Sequence, residues 1–376
     1  MSLEAKIRTK VLFIIPALDA GGAQKVLSIL LQKISKDIFD CTLCVLTSQG
    51  EFYNDVPQEV TKIYLNTSRV RYAAFKLYRF IKKLNPELVF VFDVNNMNLV
   101  IALLSFFLPA HIKFITREAV ILSSFLDNYP LVGIRKFLYK LAFKRFDTII
   151  SQSNYMRQDL VVNFSVNPEK IVVINNPISI KDLSEAAMTD ERLLPENVIN
   201  LIAVGRIVYI KGYDLLIEAL AKVTLSNFHL TILGEQTTEN PGYRDYVLNL
   251  VSKYGLTEKV TFLGFTNNPY KYIKQSDLML ITSRTEAFSN AAIEANALGI
   301  PILAFDSPGG MHEIIEENRN GWLVENGNIE RLAKAITAVA SLPVNKPAII
   351  AKSVDKYDFE KIIPSYEKVM LDLLAK

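Results

Sequence analysis

The sequence predicts an α/β chain with two doubly wound parallel-sheet domains in series, and three observations predict it. Short apolar, β-branched runs alternate with longer stretches of helical spacing, the pattern of a parallel sheet covered on both faces. That rhythm stops near residues 179–198 and then restarts. The charge also divides: residues 1–180 carry 22 Lys and Arg against 14 Asp and Glu, net +8, whereas residues 181–376 carry 20 against 25, net −5. Halves of opposite sign suggest separate domains, the first facing something anionic.

Taken in order, the strand candidates of the first half are KVLFIIP, TLCVLT, VTKIYL, LVFVF, IKFIT, DTIIS and IVVI, with helical stretches such as GAQKVLSILLQKIS between most of them. The polar stretch SIKDLSEAAMTDERLLPENV reads as a linker. After it come INLIAVG, FHLTIL, VTFLG, DLMLIT and PILAF, and the chain ends on an amphipathic helix with no strand of its own, YDFEKIIPSYEKVMLDLLAK. The expected division is therefore a first domain over residues 1–178, a linker over 179–198 and a second domain over 199–354, with residues 355–376 as a terminal helix. Such sheets bind ligands beyond the carboxyl ends of their strands, so two of them predict a cleft site.

At 376 residues, half of them hydrophobic, the chain is long enough for two cores. Its longest apolar run, Leu99–Ala110, is shorter than the roughly 20 residues of a membrane span. No apolar segment with a small-residue cleavage site opens the chain, which predicts a cytoplasmic protein. Cys41 and Cys44 form a C-x-x-C pair, but strand alternation puts them on opposite faces and no second pair completes a zinc site, so they read as small buried hydrophobes.

Three turns that follow strands carry candidate chemistry. Gly21 and Gly22 open a helix and expose amides to an anion, although a plain strand-to-helix turn fits equally well. The segment is not G-x-G-x-x-G, which counts against a nicotinamide oxidoreductase. Arg206 leaves a strand end and Lys211 precedes Gly212 and a helix, so the two cations could clamp a diphosphate or form a solvated basic loop. In EAFSNAAIE, Glu286 lies in a loop and Glu294 in a helix capped by Ser289 and stopped by Gly299. Paired carboxylates accept from sugar or ribose hydroxyls, and two acids favoured by a helix dipole are the alternative.

Arg206-x4-Lys211-Gly212, Glu286-x7-Glu294, SPGGMHEII and the N-terminal GGAQ, spread along nearly the whole chain, resemble glycosyltransferase family 4. That resemblance implies the GT-B fold, with two Rossmann-like domains facing a cleft and the C-terminal helix returning to the N-terminal domain. The first domain would bind the acceptor and the second a nucleotide sugar. Arg206 and Lys211 would hold the donor diphosphate, Glu294 the ribose and Glu286 the transferred sugar, making Arg206, Lys211 and Glu286 the catalytic set. Amides of Phe288, Ser289 and Asn290 would lie near sugar and phosphates, Gly21 and Gly22 would face the diphosphate, and Gly264 and Phe265 would border the base.

This sequence departs from the family in two places. Ala287 stands where glycine or proline is usual, which requires a backbone open to alanine there. The family's first-domain histidine is missing, and FITREAVILSS resembles a subgroup with Arg-Glu, so Arg117 and Glu118 become candidates for acceptor or sugar contacts. His111 and His229 read as structural, and His312 is placed near the cleft without a role as base.

The resemblance implies a retaining transferase that moves a hexose or N-acetylhexosamine, with a UDP-sugar favoured as donor. No Asp-x-Asp triplet occurs, so no metal and no cofactor beyond the nucleotide-sugar co-substrate are expected. The implied acceptor is a saccharide in bacterial surface polysaccharide synthesis (lipopolysaccharide or O-antigen, capsule, exopolysaccharide), and the basic segments of the first domain favour a lipid-linked one. Residues 69–83 hold six basic residues and 131–146 hold five, with no acid and with aromatics between, a pattern that fits either peripheral contact with the anionic cytoplasmic face of a membrane or ordinary solvated helix faces. Nucleic acid is disfavoured for want of a motif. A nucleotide-sugar 2-epimerase of the same fold and a non-catalytic sugar-nucleotide-binding protein are the alternative readings.

Overall fold

The computed structural model describes residues 8–19, 21–48, 50–67, 70–93, 96–127, 129–237, 240–340 and 347–375. The chain divides into two compact units, Met1–Pro177 with Phe359–Lys376, and Ile178–Asp358.

The first unit is a seven-stranded parallel sheet of β1 (Thr9–Ala17), β2 (Phe39–Ser48), β3 (Thr61–Tyr64), β4 (Leu88–Asp93), β5 (Lys113–Glu118), β6 (Thr148–Ser151) and β7 (Ile171–Val173), in the order β3-β2-β1-β4-β5-β6-β7. The order reverses between β1 and β4. Alternation along the strands feeds two core layers: Leu12 and Ile14 enter one, Val11, Phe13 and Ile15 the other. Cys44 lies in the first layer and Cys41 in the second, both as buried free thiols. Burial pushes Cys41 up to about 11 and Cys44 up to about 12, so neither is a thiolate near neutrality.

The terminal helix, Phe359–Leu374, completes this unit. Ile362, Ile363, Tyr366, Met370 and Leu373 recur at the spacing of one helix face and enter the second layer. Its edges are fixed by polar contacts: Glu367 accepts from the Ser35 amide at 2.7 Å, and Lys33 lies 4.4 Å over the Phe359 ring.

The second unit holds six parallel strands: β8 (Ile199–Val204), β9 (Phe228–Leu233), β10 (Val260–Gly264), β11 (Leu278–Ile281), β12 (Ile302–Asp306) and β13 (Gly321–Glu325). Their order is β10-β9-β8-β11-β12-β13, so the reversal falls between β8 and β11. The sequence reading missed β13. GWLVE sits at the sheet edge between polar turns, with only its first and fourth residues buried, so it lacks the apolar run that marks the others.

Two expected boundaries move. Residues 179–198 are not a free linker: Ser179 caps the helix Ile180–Ala186, and Leu183 and Ala187 join Ile178 in the second unit's core. Three apolar residues in a polar stretch suffice to dock a short helix, but they are too few to register as a periodic pattern. The terminal helix begins at Phe359 rather than 355, because Tyr357 is buried in the second unit and its hydroxyl donates to the Glu313 carbonyl. Among the described residues no helix is long and apolar enough to cross a membrane.

Candidate active site

In the second unit the candidate residues cluster at the carboxyl ends of β8 and β11, where the strand order reverses and an open parallel sheet leaves a crevice. Beyond β8 the chain passes Gly205 and the exposed Arg206, makes the short 3₁₀ turn Tyr209–Lys211, and enters the helix Tyr213–Leu220. Gly212 joins turn to helix with φ +65, and a Cβ there would stand 2.1 Å from the Thr282 carbonyl oxygen. The Thr282 hydroxyl bridges back, donating to the Gly212 carbonyl at 3.0 Å and lying 3.2 Å from that of Lys211. The end of β11 therefore presses directly against the Lys211 turn.

That arrangement brings Lys211 and Glu286 together. Lys211 Nζ lies 2.6 Å from Glu286 Oε2, and the Ser283 hydroxyl donates to the same oxygen at 2.9 Å. Glu286 Oε1 has no partner among the described residues, so one carboxylate oxygen fixes the side chain and the other is available to a hydroxyl. Both side chains are mostly buried, which strengthens their interaction relative to a surface pair. A shallow concavity opens here, lined by Lys211, Tyr213, Thr282, Ser283, Ser289 and Ala291 among others.

The backbone of the Glu286 loop is fixed independently. Its amide donates to the Pro308 carbonyl, and its carbonyl accepts from the Gly310 amide, each at 3.0 Å. Gly309 has φ +136, and a Cβ on it would stand 1.8 Å from the Glu286 carbonyl oxygen. The SPGG segment is thus a brace for the Glu286 loop, and only glycine fits its closest point. Ala287 keeps a negative φ, so alanine is accommodated where the family prefers glycine or proline. Next, Ser289 caps the helix Asn290–Ala297 by accepting from the Ala292 amide, and Gly299 follows it at φ +81. Glu294 is 5% exposed within that helix, and Phe288 is buried edge-on against Tyr357.

Sequence reasoning missed a second charged pair behind the first. Arg284 forks onto Asp214, with contacts of 3.0 and 2.7 Å, and donates to the Tyr209 carbonyl at 2.6 Å. Its guanidinium stacks 3.7 Å from the Tyr209 ring centre, and its amide donates to the Ile210 carbonyl. The Tyr243 hydroxyl donates to Asp214 Oδ1 at 2.6 Å. Burial pushes Asp214 upward, but the hydrogen bonds from Arg284 and Tyr243 and the charge of Arg284 outweigh it, holding the carboxyl below its ordinary range. Arg284 stands two residues before Glu286 and Asp214 two after Gly212, a symmetry about the motif that spacing alone did not flag.

Other predicted residues fall elsewhere. Gly264 ends β10 at φ +78, its carbonyl accepts from the Gly234 amide at 2.8 Å, and Phe265 beside it is half exposed. Gly21 and Gly22 start the helix Gly22–Lys33 after β1, at the reversal point of the first sheet. Gly21 is extended at φ −171, so its conformation does not itself demand glycine. Arg117 and Glu118 end β5 and are 0% and 1% exposed. Arg117 Nε donates to the Tyr366 hydroxyl at 2.9 Å and its fork to Asn176, while Glu118 accepts from Asn98. Arg117 is a strut that fastens the terminal helix, and an acceptor contact has no exposed atom to meet on it. His312 pairs with Asp306 at 2.6 Å, and His229 contacts the Thr261 hydroxyl at 2.9 Å.

Comparisons with known proteins bear on the family and the fold. Residues 20–182 match the family described as Glycosyltransferase Family 4, and residues 184–356 the family described as Glycosyl transferases group 1. The chain is similar to the N-acetylgalactosamine-N,N'-diacetylbacillosaminyl-diphospho-undecaprenol 4-alpha-N-acetylgalactosaminyltransferase of Campylobacter jejuni, at 29% identity over 83% of this chain and 85% of that one. It is also similar to the amylovoran biosynthesis glycosyltransferase AmsD of Erwinia amylovora, at 24% identity over 82% of this chain and 83% of that one. Among solved structures, Anabaena HepE in complex with UDP-glucose aligns with a TM-score of 0.81 at 20% identity, over 97% of this chain and 100% of that one. With residues 20–182 matching Glycosyltransferase Family 4, residues 184–356 matching Glycosyl transferases group 1 and the fold shared throughout, the chain belongs to the glycosyltransferases that combine these two domains.

Proposed function

We propose that the protein is a retaining, metal-independent transferase that moves a hexose or N-acetylhexosamine from a UDP-sugar to a lipid-linked saccharide in bacterial surface polysaccharide synthesis. The Lys211–Glu286 pair at the reversal of the second sheet carries the reading: a cation for a leaving diphosphate beside a carboxylate with one oxygen available to a sugar hydroxyl. The UDP-glucose bound to HepE supports the donor. The Campylobacter relative, by name, adds an α-linked sugar to a saccharide on diphospho-undecaprenol, which supports a lipid-linked acceptor.

In this mechanism the bond from the sugar's anomeric carbon to the diphosphate breaks as the acceptor oxygen bonds on the same face. The acceptor proton passes to the departing phosphate oxygen. Arg206 and Lys211 stabilise the charge that develops there, a task for preorganised cations rather than a side-chain base. Glu286 holds a hydroxyl of the transferred sugar and Glu294 the ribose. Gly21 and Gly22 offer amides to the diphosphate, and Gly264 and Phe265 border the base. Arg117 and Glu118, being interior, take no part. A lipid-linked acceptor brings the enzyme to an anionic membrane face, with residues 69–83 and 131–146 as its basic surface.

A thermal-shift series with UDP, GDP, ADP and their sugars tests the donor, since a ligand that binds only the native state raises the melting temperature. UDP and a UDP-hexose are expected to stabilise. Stabilisation by GDP without UDP overturns the donor assignment, and turnover lost in EDTA and restored by Mn²⁺ or Mg²⁺ overturns metal independence.

A further inference from the structure

The structure treats the two basic segments differently. Around the helix Ala74–Leu84 the large exposed apolar side chains among the described residues are Tyr72 and Phe75, and cations lie near the rings: Arg79 sits 5.7 Å from the Phe75 ring and Lys82 5.8 Å from Tyr78, while Lys76 donates to the Leu65 carbonyl. The helix Val132–Phe143 instead turns Tyr139, Ala142 and Phe143 inward and leaves Ile134, Phe137, Leu138 and Leu141 exposed, with Leu131 before it. These outward positions fall at helical spacing, so they share one side of the helix.

A third segment, outside both basic stretches, extends that side. The helix Met97–Leu104 packs against Val132–Phe143, and at its end Leu103, Phe106 and Phe107 are exposed at 59%, 65% and 68%. Arg145 ties the two together. Its Nε donates to the Ser105 hydroxyl at 3.0 Å, and its guanidinium lies 4.2 Å from the Phe106 ring. Isolated exposed leucines are ordinary, but large apolar side chains gathered on two packed helices mark an interaction surface.

The charge around it identifies the partner. Residues 129–146 hold five cations and no acid, and residues 94–117 hold no acid either. Protein interfaces deplete lysine, whereas Lys140 and Lys144 flank this apolar face, and Lys136 on the far side pairs with Asp127 at 3.3 Å. Long cations ringing exposed phenylalanines suit a bilayer, because the stems follow the rings inward while the charges stay among anionic headgroups.

We infer that the apolar ridge formed by residues 103–107 and the helix Val132–Phe143 inserts into an anionic phospholipid leaflet as the main membrane anchor, with the 69–83 segment adding surface charge. The inference deepens the reading that the acceptor is lipid-linked, and it rests on that reading for its purpose but not for its geometry. Insertion makes binding partly resistant to salt, unlike purely electrostatic adsorption, which screening removes.

Flotation of the full chain with phosphatidylcholine vesicles, with and without phosphatidylglycerol, tests it. The triple variant Phe106→Ser, Phe107→Ser, Phe137→Ser is expected to lose binding to the anionic vesicles by at least about tenfold, since each ring withdrawn removes a buried apolar area. Phe75→Ser, a single ring outside the ridge, is expected to lose far less binding than the triple variant, and an equal loss overturns the inference. Phe137→Trp adds a reporter whose emission should shift blue on the vesicles and be quenched by brominated lipid, read against the parent with its single native Trp322. UDP-induced thermal shift checks that each variant is folded and, separately, whether the donor assignment stands. Undiminished binding of the triple variant, unquenched emission from the introduced indole, or a ridge that instead mediates self-association in sedimentation each overturns the inference.

Discussion

The two units share one architecture and differ in what they place beyond their strands. In the second, the strand ends at the sheet reversal carry charged groups into a concavity, and glycines at 212 and 309 let backbones close behind them. In the first, the charged pair at the end of β5 is interior, and the unit's exposed singularity is an apolar ridge. A parallel sheet fixes where a site can form, whereas the side chains after each strand decide whether a polar site forms there. The difference supports the proposal that donor chemistry belongs to the second unit, and substitutions can break that proposal.

The largest effect is expected at the ion pair. Lys211→Ala should lower turnover about 10²–10³-fold, the usual loss when one preorganised charge on a leaving group is removed. Glu286→Ala should likewise slow transfer more than it weakens donor binding, and Glu294→Ala the reverse, as read by kcat and by UDP-sugar affinity. If both glutamate variants keep full activity, the contrast between the units has no catalytic meaning. Arg117→Leu provides the opposite limb. It removes a buried guanidinium from Tyr366 and Asn176, so a stability loss of about 2–3 kcal/mol is expected in denaturant titration. Donor-site kinetics of the surviving folded fraction should be unchanged, and a large KM effect would return Arg117 to the active site.

Arg284 sharpens the comparison on a smaller scale. It touches the Tyr209–Lys211 turn through the Tyr209 carbonyl, the Tyr209 ring and Asp214, so it acts as a positioning residue for Lys211. Arg284→Lys keeps a charge but loses the planar fork, and about a tenfold fall in kcat with little change in UDP affinity is expected. Equal loss in kcat and in thermal stability alone, without a kcat–KM split, would mark it as merely structural.

Most of this fold was legible because its strands are buried on both faces and read as continuous apolar runs: twelve such runs correspond to β1–β12. β13 was not, since an edge strand has less need of such a run. The Lys211 and Glu286 motifs were visible as residue types after strands, yet nothing in a one-dimensional pattern says that residues 75 apart meet at 2.6 Å. The Arg284–Asp214 pair was invisible for the same reason. Arg117 reads as a ligand contact because an arginine at a strand end suggests one, and nothing in the pattern shows that the terminal helix, 249 residues away, supplies a Tyr366 hydroxyl to it.

The smallest expected effect concerns pH and also separates the units. Asp214 is held below the 3.8 of an unperturbed carboxyl, because Arg284 and Tyr243 favour its charged form more than burial opposes it. A group with a depressed native pKa stabilises the fold above its unfolded value and loses that contribution as pH falls through the native one. Stability of the second unit should therefore fall below about pH 4 with a component that Asp214→Asn removes. Chemical denaturation at pH 5 and pH 3 is expected to show the variant less stable than the parent at pH 5, with the gap narrowing at pH 3. Arg117 is held by the neutral Tyr366 and Asn176 side chains, so no such narrowing is expected for Arg117→Leu, and the same pair of titrations distinguishes a charge held in place by an acid from one held by neutral partners.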